Sequence, residues 1–499
     1  MGKIWKYDQN SVLSKMLDYD IVIIGGTLAG RKAAIKASKM QGRVALLEPD
    51  PPPVPGQIIG ANRHHPLLQI AKVAKQMRQV SQFGIGWETA DRIVPENILI
   101  QWDSSCQWSE YITTNLESIY SPAAIASLGV DMIFGVGEFI TEPRLALKVN
   151  NRILRSRTFL LAMGSQPQIP DIEGLTLAGY FTADTIHKIT KIPNHVALIG
   201  GDPSAVELAQ IFRRLGSDVT LIVRSNHILP REEPPTAFLL QSLLEAEGVQ
   251  VLTKTPVIQA KQIDDTKWIQ AGNKAIEVDE IILGIGRQPN LCGLNLDDIG
   301  VKFIGGYLQL NSRRQTTNRR VYACGELAGG YPLPHVAEYE AQIAIKNALY
   351  FPGFRVNYNH VPWVIFTDPP LARVGLTETQ ARRRYRDQVQ VSRQMFKQVP
   401  KTQILGEIMG FCELVGHSDG RLLGATIFGV GADEMINFLA IAIQKGITIN
   451  AIANFTPPWP TLTGIISPTA AAWVHQRHRH QKLWYNILEN IFHWRRSNN

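Results

Sequence analysis

The chain has little sulfur. Its 499 residues contain four cysteines, Cys106, Cys292, Cys324 and Cys412, each more than thirty residues from the next. That spacing excludes a CxxC motif, zinc-ligand pairs and a disulfide framework, so no metal is expected and the compartment reads as reducing. Long apolar runs are absent too. None approaches the roughly 18 residues that would span a bilayer. The opening "MGKIWKYDQN" lacks the apolar core of a signal peptide, and a cytoplasmic location is expected. Charge is scarce in net terms, +8 over the whole chain, which calls for no nucleic acid. Half of it is local, because residues 471–499 carry Arg477, Arg479, Lys482, Arg495 and Arg496 against Glu489 alone. Length suggests about three domains.

Glycine, by contrast, recurs twice where a nucleotide needs it. "YDIVIIGGTLAGRKAAIKASKMQGRVALLEPD" (19–50) reads as strand, tight turn, helix and strand. A turn that receives a pyrophosphate needs small residues where the backbone bends, where the phosphate approaches and where helix meets strand. In the turn Gly25-Gly26-Thr27-Leu28-Ala29-Gly30, Gly25 and Gly30 fill the outer places and Thr27 replaces the middle glycine, a departure; Gly25, Gly26, Thr27 and Gly30 are the cofactor-binding candidates here. The Thr27 side chain crowds the pyrophosphate and offers it a hydroxyl. Glu48 closes the second strand, placed to accept hydrogen bonds from a ribose diol. An ordinary α/β crossover is the plainer alternative for such a turn taken alone.

"HVALIGGDPSAVELAQIFRRLGSDVTLIVRSNHILPREE" (195–233) repeats the pattern, with Gly200, Gly201 and Ala205 in the small places. Two such units suggest two dinucleotides. The second strand runs into Arg224 rather than an acid. An arginine there attracts a 2′-phosphate that an acid would repel, which favours NADPH over NADH. Arg231 is a second candidate contact, and the plainer reading is a surface arginine paired with Glu232 or Glu233. Asp202 stands where a glycine usually lets the phosphate approach. Its carboxylate is expected to cap the helix and compete with a phosphate for the helix N-terminus, which leaves weak or absent NADPH binding open.

Five further segments follow in order: "LLAMGSQPQIP" (160–170), "ILGIGRQPN" (282–290), "TNRRVYACGELAGG" (317–330), "HVAEYEAQIAIKN" (335–347) and "VIFTDPPLARVGLTETQA" (364–381). With both glycine turns, this order resembles the pyridine nucleotide–disulfide oxidoreductase family, in the branch that includes mercuric reductase, dihydrolipoamide dehydrogenase and glutathione reductase. The resemblance implies an α/β fold: two Rossmann-like dinucleotide-binding domains, for FAD and NAD(P)H, plus a C-terminal α+β dimerisation domain, assembled as a homodimer. It implies an N-terminal extension over 1–17 and a discontinuous FAD-binding domain over 18–172 and 294–358. An NAD(P)H-binding domain would occupy 173–293, a dimerisation domain 359–469 and a basic amphipathic tail 470–499. By resemblance Gly25, Gly30 and Glu48 hold the adenosine end of FAD. Glu326 stands where an aspartate usually meets the ribityl chain, and Gly164 and Arg287 complete the cofactor-binding set.

Two parts of the family pattern are missing. The dithiol belongs after Glu48, in GGTCxxxxGCxPxK, where this chain has "PGQIIGANRHHPLL" (55–68). Ile59 and His64 fall roughly at the cysteine places, and Leu67 and Leu68 stand where a lysine would approach the flavin. The family's HPTxxE, whose histidine handles the thiol's proton, is here "WPTLTG", with Trp459 and Gly464 in place of the histidine and the glutamate. A base that serves a thiol has no use without the thiol, so the paired loss implies chemistry at the flavin itself. Glu207 matches the glutamate that pairs with the missing lysine, and Arg63, His64 or His65 is expected to supply a new cation. Glu207, Arg63, His64 and Trp459 are thus the catalytic candidates. The plainer reading is that the histidines cap or cover the helix "PLLQIAKVAKQM".

The tail "HQRHRHQKLWYNILENIFHWRRSNN" (475–499) places Leu483, Trp484, Ile487, Leu488, Ile491 and Phe492 at helical spacing beside basic residues. Such a helix suits an anionic membrane surface; the plainer reading is that it packs on the dimer or on a protein partner. Two functions stand open: an FAD enzyme oxidising NAD(P)H and reducing a non-disulfide acceptor (a quinone, a nicotinamide or an electron carrier), or an FAD-binding module with little turnover that binds, assembles or senses.

Overall fold

The computed structural model describes residues 17–50, 64–85, 98–291, 293–330, 332–480 and 482–497; Arg63, Ile59 and Cys292 lie outside the described residues. The chain forms two compact units, one from 1–70, 96–200 and 257–356, the other from 71–95, 201–256 and 357–499.

The first unit is built on a parallel five-stranded sheet. Its strands run in the order Val321–Ala323, Ser156–Leu161, Tyr19–Ile24, Val44–Glu48 and Asp131–Phe134. Ile21, Ile23, Val44 and Leu46 join one core, while Val22, Ile24, Ala45 and Leu47 join another. Both faces are covered, which is why these strands read as unbroken apolar runs rather than alternating ones. The Leu28–Lys39 helix buries Ala29, Ala33, Ala34 and Ala37. A second parallel set joins His195–Ile199 to Glu280–Leu283 and Phe181–Thr182. Ser165–Pro167 pairs antiparallel with Arg287–Pro289, so two of the segments that carry the family resemblance share one ladder.

In the second unit, Asp218–Ile222 pairs in parallel with Gln250–Leu252. Its largest sheet is antiparallel, in the order Trp363–Ile365, Leu371–Gly375, Leu422–Phe428, Phe411–His417 and Val389–Met395. The Ala432–Lys445 and Ile466–His480 helices pack on it, with Trp473 fully buried in the core between. Among the described residues no helix is long and apolar enough to cross a membrane.

One side of the Pro203–Leu215 helix organises this unit. Glu207, Gln210 and Arg214 follow at spacings of three and four, so they line one face. The Phe366 amide donates to Glu207 Oε1 at 2.7 Å. The Asp368 amide donates to Gln210 Oε1 at 2.7 Å, and Gln210 Nε2 donates back to the Asp368 carbonyl at 3.0 Å. Arg214 grips the Asp368 side chain and carbonyl, both at 2.7 Å, and takes Glu247 in a fork at 2.8 and 2.7 Å. Lys75 lies 3.2 Å and Lys72 3.7 Å from the Asp368 carboxylate. Burial alone would push the Asp368 carboxyl up, but Arg214, Lys75 and Lys72 outweigh it and hold it below the usual range.

Removing Arg214 leaves Glu247 and Asp368 without their main counter-charge. Arg214→Met is therefore expected to cost about 3–5 kcal/mol at neutral pH, read by denaturant unfolding. Because the folded Asp368 pKa is depressed, its contribution is complete above its unfolded value of about 3.9 and fades as pH falls through the folded one. The gap between wild type and variant is expected to narrow in that acid range. A gap independent of pH would show that the charge pairing contributes nothing.

Candidate flavin and nucleotide site

The first glycine turn is closed by sterics. Gly25 has a φ of +117°, and a Cβ there would collide with the Ala162 carbonyl. A Cβ on Gly30 would strike the Gly25 carbonyl. Glycine at these two places lets the Leu28–Lys39 helix start against the strand that feeds it. Thr27 caps that helix: its hydroxyl accepts from the Gly30 amide at 3.2 Å and donates to the Ala162 carbonyl at 2.7 Å. The hydroxyl proton expected to serve a pyrophosphate is thus given to the protein's own backbone.

Glu48 is 1% exposed and ends the Val44–Glu48 strand. Its Oε2 accepts from Arg31 Nη2 at 2.6 Å. Its Oε1 is buried and has no hydrogen-bond partner among the described residues. A Cβ on Gly26 would stand 2.7 Å from that oxygen, so Oε1 lies at the glycine turn. A buried carboxylate oxygen without a donor costs on the order of 1–3 kcal/mol or more, and a ribose hydroxyl would satisfy it. The residues present therefore fit the adenosine end of FAD.

The paired ladder places Arg287 beside Ser165, to whose Oγ and carbonyl it donates at 2.6 and 2.9 Å. Its guanidinium also holds Asp184 through two bonds of 2.8 and 3.0 Å. Glu326 lies 3.8 Å from Arg287 Nε. Burial pushes the Glu326 carboxyl up, Arg287 opposes the rise and Asp184 adds to it. Gly164 takes a φ of +68°, where a Cβ would sit 3.0 Å from Thr27 Cγ2. Asp184 had no signal in the sequence; it is recognisable only once the ladder brings Arg287 to it.

In the second nucleotide pattern, Gly200 has a φ of +129° and a Cβ on it would collide with the Gly284 carbonyl. A Cβ on Gly201 would come within 2.8 Å of Val223. Asp202 caps the Pro203–Leu215 helix, accepting from the Ala205 amide at 2.8 Å. That amide is one a phosphate would otherwise use. Arg224 and Arg231 are exposed. The plainer pairing with Glu232 or Glu233 is not formed: Glu232 is buried against Arg373 at 3.4 Å, and Glu233 takes the Thr379 hydroxyl at 2.8 Å.

His64 is buried and His65 half-buried, with rings in edge contact at 5.0 Å. The His64 carbonyl accepts from the Leu67 and Leu68 amides at 3.0 and 3.3 Å, so this pair starts the His65–Gln79 helix. Glu207 belongs to the second unit, with one oxygen committed to Phe366. Trp459 is 79% exposed, and a Cβ on Gly464 would meet open space. Burial pushes the Cys324 and Cys412 thiols up to about 12; burial, then Asp103 and Glu110, raises Cys106. None of these three is poised as a thiolate.

A sequence model of the family described as pyridine nucleotide-disulphide oxidoreductase matches residues 19–341, and that of its dimerisation domain matches 361–470. Mercuric reductase of Staphylococcus aureus is 30% identical over 468 residues, covering 89% of this chain and 80% of that protein. Dihydrolipoyl dehydrogenase of Bacillus subtilis is 28% identical over 452 residues, covering 89% and 96%. Among solved structures, the HOCl-induced flavoprotein disulfide reductase RclA from Escherichia coli matches with a TM-score of 0.78 at 22% identity, over 90% of this chain and 99% of that one. LpdA from Mycobacterium tuberculosis matches at 0.81 and 22%, over 91% and 99%. These two likenesses carry the fold, as expected: Rossmann-like α/β domains followed by a dimerisation domain.

The turn geometry makes one substitution diagnostic. Gly26→Ala adds a methyl 2.5 Å from the Glu48 carboxyl carbon, so Glu48 must shift. Flavin affinity is expected to fall at least roughly tenfold, the effect of about 1.4 kcal/mol, measured by titrating the apo-protein with FAD. Unchanged affinity would place the adenosine elsewhere.

Proposed function

Because the chain belongs to the pyridine nucleotide-disulphide oxidoreductase family, whose members are FAD-dependent oxidoreductases, we propose that it oxidises NADPH and reduces a non-disulfide acceptor. The observation that carries this reading is the absence of any cysteine before Cys106 in a chain whose Glu48 still offers an acceptor to FAD. Glu48, at the glycine turn of Gly25, Gly26 and Gly30, would hold the adenosine end of FAD, which when bound would supply two-electron chemistry between NADPH and the acceptor: NADPH and one proton would become NADP⁺ as, for instance, a quinone became a quinol. Trp459 and Gly464 stand where the thiol's proton-handling pair would be, so no side chain there is assigned a proton. Exposed Arg224 and Arg231 favour the 2′-phosphate of NADPH. The dimerisation domain supports a homodimer, and a cytoplasmic setting fits the same reading.

A second reading is favoured by Asp202. Its cap on the Ala205 amide opposes a phosphate at the same helix end, as a module that binds FAD without turning over would tolerate. Anaerobic addition of NADPH separates the two. Prompt bleaching of the flavin, then re-oxidation by quinones and not by disulfides or mercuric ion, is the expected result. A flavin that stays oxidised overturns the enzyme reading; turnover with a disulfide or mercuric ion overturns the choice of acceptor. Asp202→Gly is expected to tighten NADPH binding by roughly three- to tenfold, as removal of one competing hydrogen bond implies.

Glu207 is proposed to act near the flavin with Arg63, His64 or His65. Glu207→Gln keeps an acceptor for the Phe366 amide, so a change in flavin reduction rate or potential supports that role; unchanged values overturn it.

The tail belongs to the same proposal. The Lys482–Ser497 helix exposes Ile491, Phe492 and Trp494 beside Arg495 and Arg496, as an anionic bilayer surface would require. Co-sedimentation with anionic but not neutral vesicles, weakened by salt, is expected. Failure to sediment with either would favour a protein partner instead.

A further inference from the structure

We propose that Arg31 is a positioning residue for the adenosine half of FAD, holding the Glu48 carboxylate so that a single oxygen faces the ribose. The inference rests on the FAD reading above and adds a residue to it.

Arg31 follows Gly30 in the first turn of the Leu28–Lys39 helix, outside the arc of its buried alanines, and is 2% exposed. Helix stability does not account for it. A cation in the first turn opposes the helix dipole, and a buried guanidinium is costly unless paired. Its pairing is specific: Nη2 donates to Glu48 Oε2 at 2.6 Å, and Nη1 donates to the Tyr120 carbonyl at 2.8 Å. That carbonyl follows the Trp102–Ser118 helix, so Arg31 is anchored from both sides and cannot swing away without losing a bond.

The consequence falls on Glu48. With Oε2 taken, the carboxylate cannot rotate freely about its last bond, and Oε1 is left buried at Gly26. The ion pair that Glu48 makes among the described residues is with Arg31 Nη2, at 2.6 Å. Arg31 is thus the cation that balances Glu48 among the described residues. It also explains how an anion can sit buried at the turn where a pyrophosphate must approach.

The test uses the full-length apo-protein and three probes: FAD, ADP as its adenosine half, and FMN as its flavin half. For Arg31→Met, affinity for FAD and ADP is expected to fall roughly ten- to a hundredfold, the range for a hydrogen bond to a charged group, while affinity for FMN is unchanged. Arg31→Lys should recover part of the loss. In a Glu48→Gln background, Arg31→Met should cost little more, since both act through one carboxylate. Equal loss of FAD, ADP and FMN, or full additivity with Glu48→Gln, would reduce Arg31 to a packing role and overturn the proposal. Should Arg31→Met fail to fold, Arg31→Lys and the double variant carry the same comparison. Wild-type protein that binds no FAD would instead overturn the cofactor reading, leaving the two failures distinct.

Discussion

The second unit depends on one stripe of one helix. Glu207, Gln210 and Arg214 bond in succession to the backbone and side chain of residues 366–368. A loop that enters a sheet carries backbone amides that must be satisfied wherever they are buried. Here the helix satisfies two of them with side chains and returns two donors to the Asp368 carbonyl. The charges then balance around Asp368: Arg214, Lys75 and Lys72 on one side, Glu247 sharing Arg214 on the other. Buried ions in such a network are specific rather than strongly stabilising, so they fix the turn by which the chain leaves the Trp363–Ile365 strand and enters the Leu371–Gly375 strand.

At the first glycine turn the same logic works with fewer groups. A buried arginine and a buried glutamate neutralise one another, and the geometry leaves one acceptor over. Glycine and threonine do the rest: Gly25 and Gly30 permit close approach, and Thr27 spends its hydroxyl on capping. The turn is thus preorganised by sterics, with one buried carboxylate oxygen, Glu48 Oε1, beside Gly26. No cysteine takes part in that geometry.

Much of this was legible in the sequence because it is local. The two glycine turns, their flanking strands, the Glu48 position and the Asp202 cap all depend on residues within a few positions of each other. The order of the later motifs made the family legible as well. What escaped is long-range. Arg31 reads as an ordinary surface residue until the strand brings Glu48 to it, 17 residues on, and the Trp102–Ser118 helix delivers Tyr120, 89 residues on. Arg287 likewise finds Asp184 across 103 residues. Thr27 shows the reverse limit: a hydroxyl that the sequence offers to a pyrophosphate donates to the Ala162 carbonyl, 135 residues away. Glu207, placed by resemblance beside a flavin, has one oxygen engaged by an amide 159 residues away.

The scarcity of reactive sulfur gives the molecule two internal clocks. Cys324 lies buried in the first unit and Cys412 in the second, each held as an unreactive thiol. Neither can be alkylated until its surroundings open, so the labelling rate of each reports the easiest opening that exposes it within its own unit. Because the two thiols are separate peptides after digestion, one mass spectrum resolves whether the units breathe together or independently, and whether flavin quiets one while leaving the other untouched.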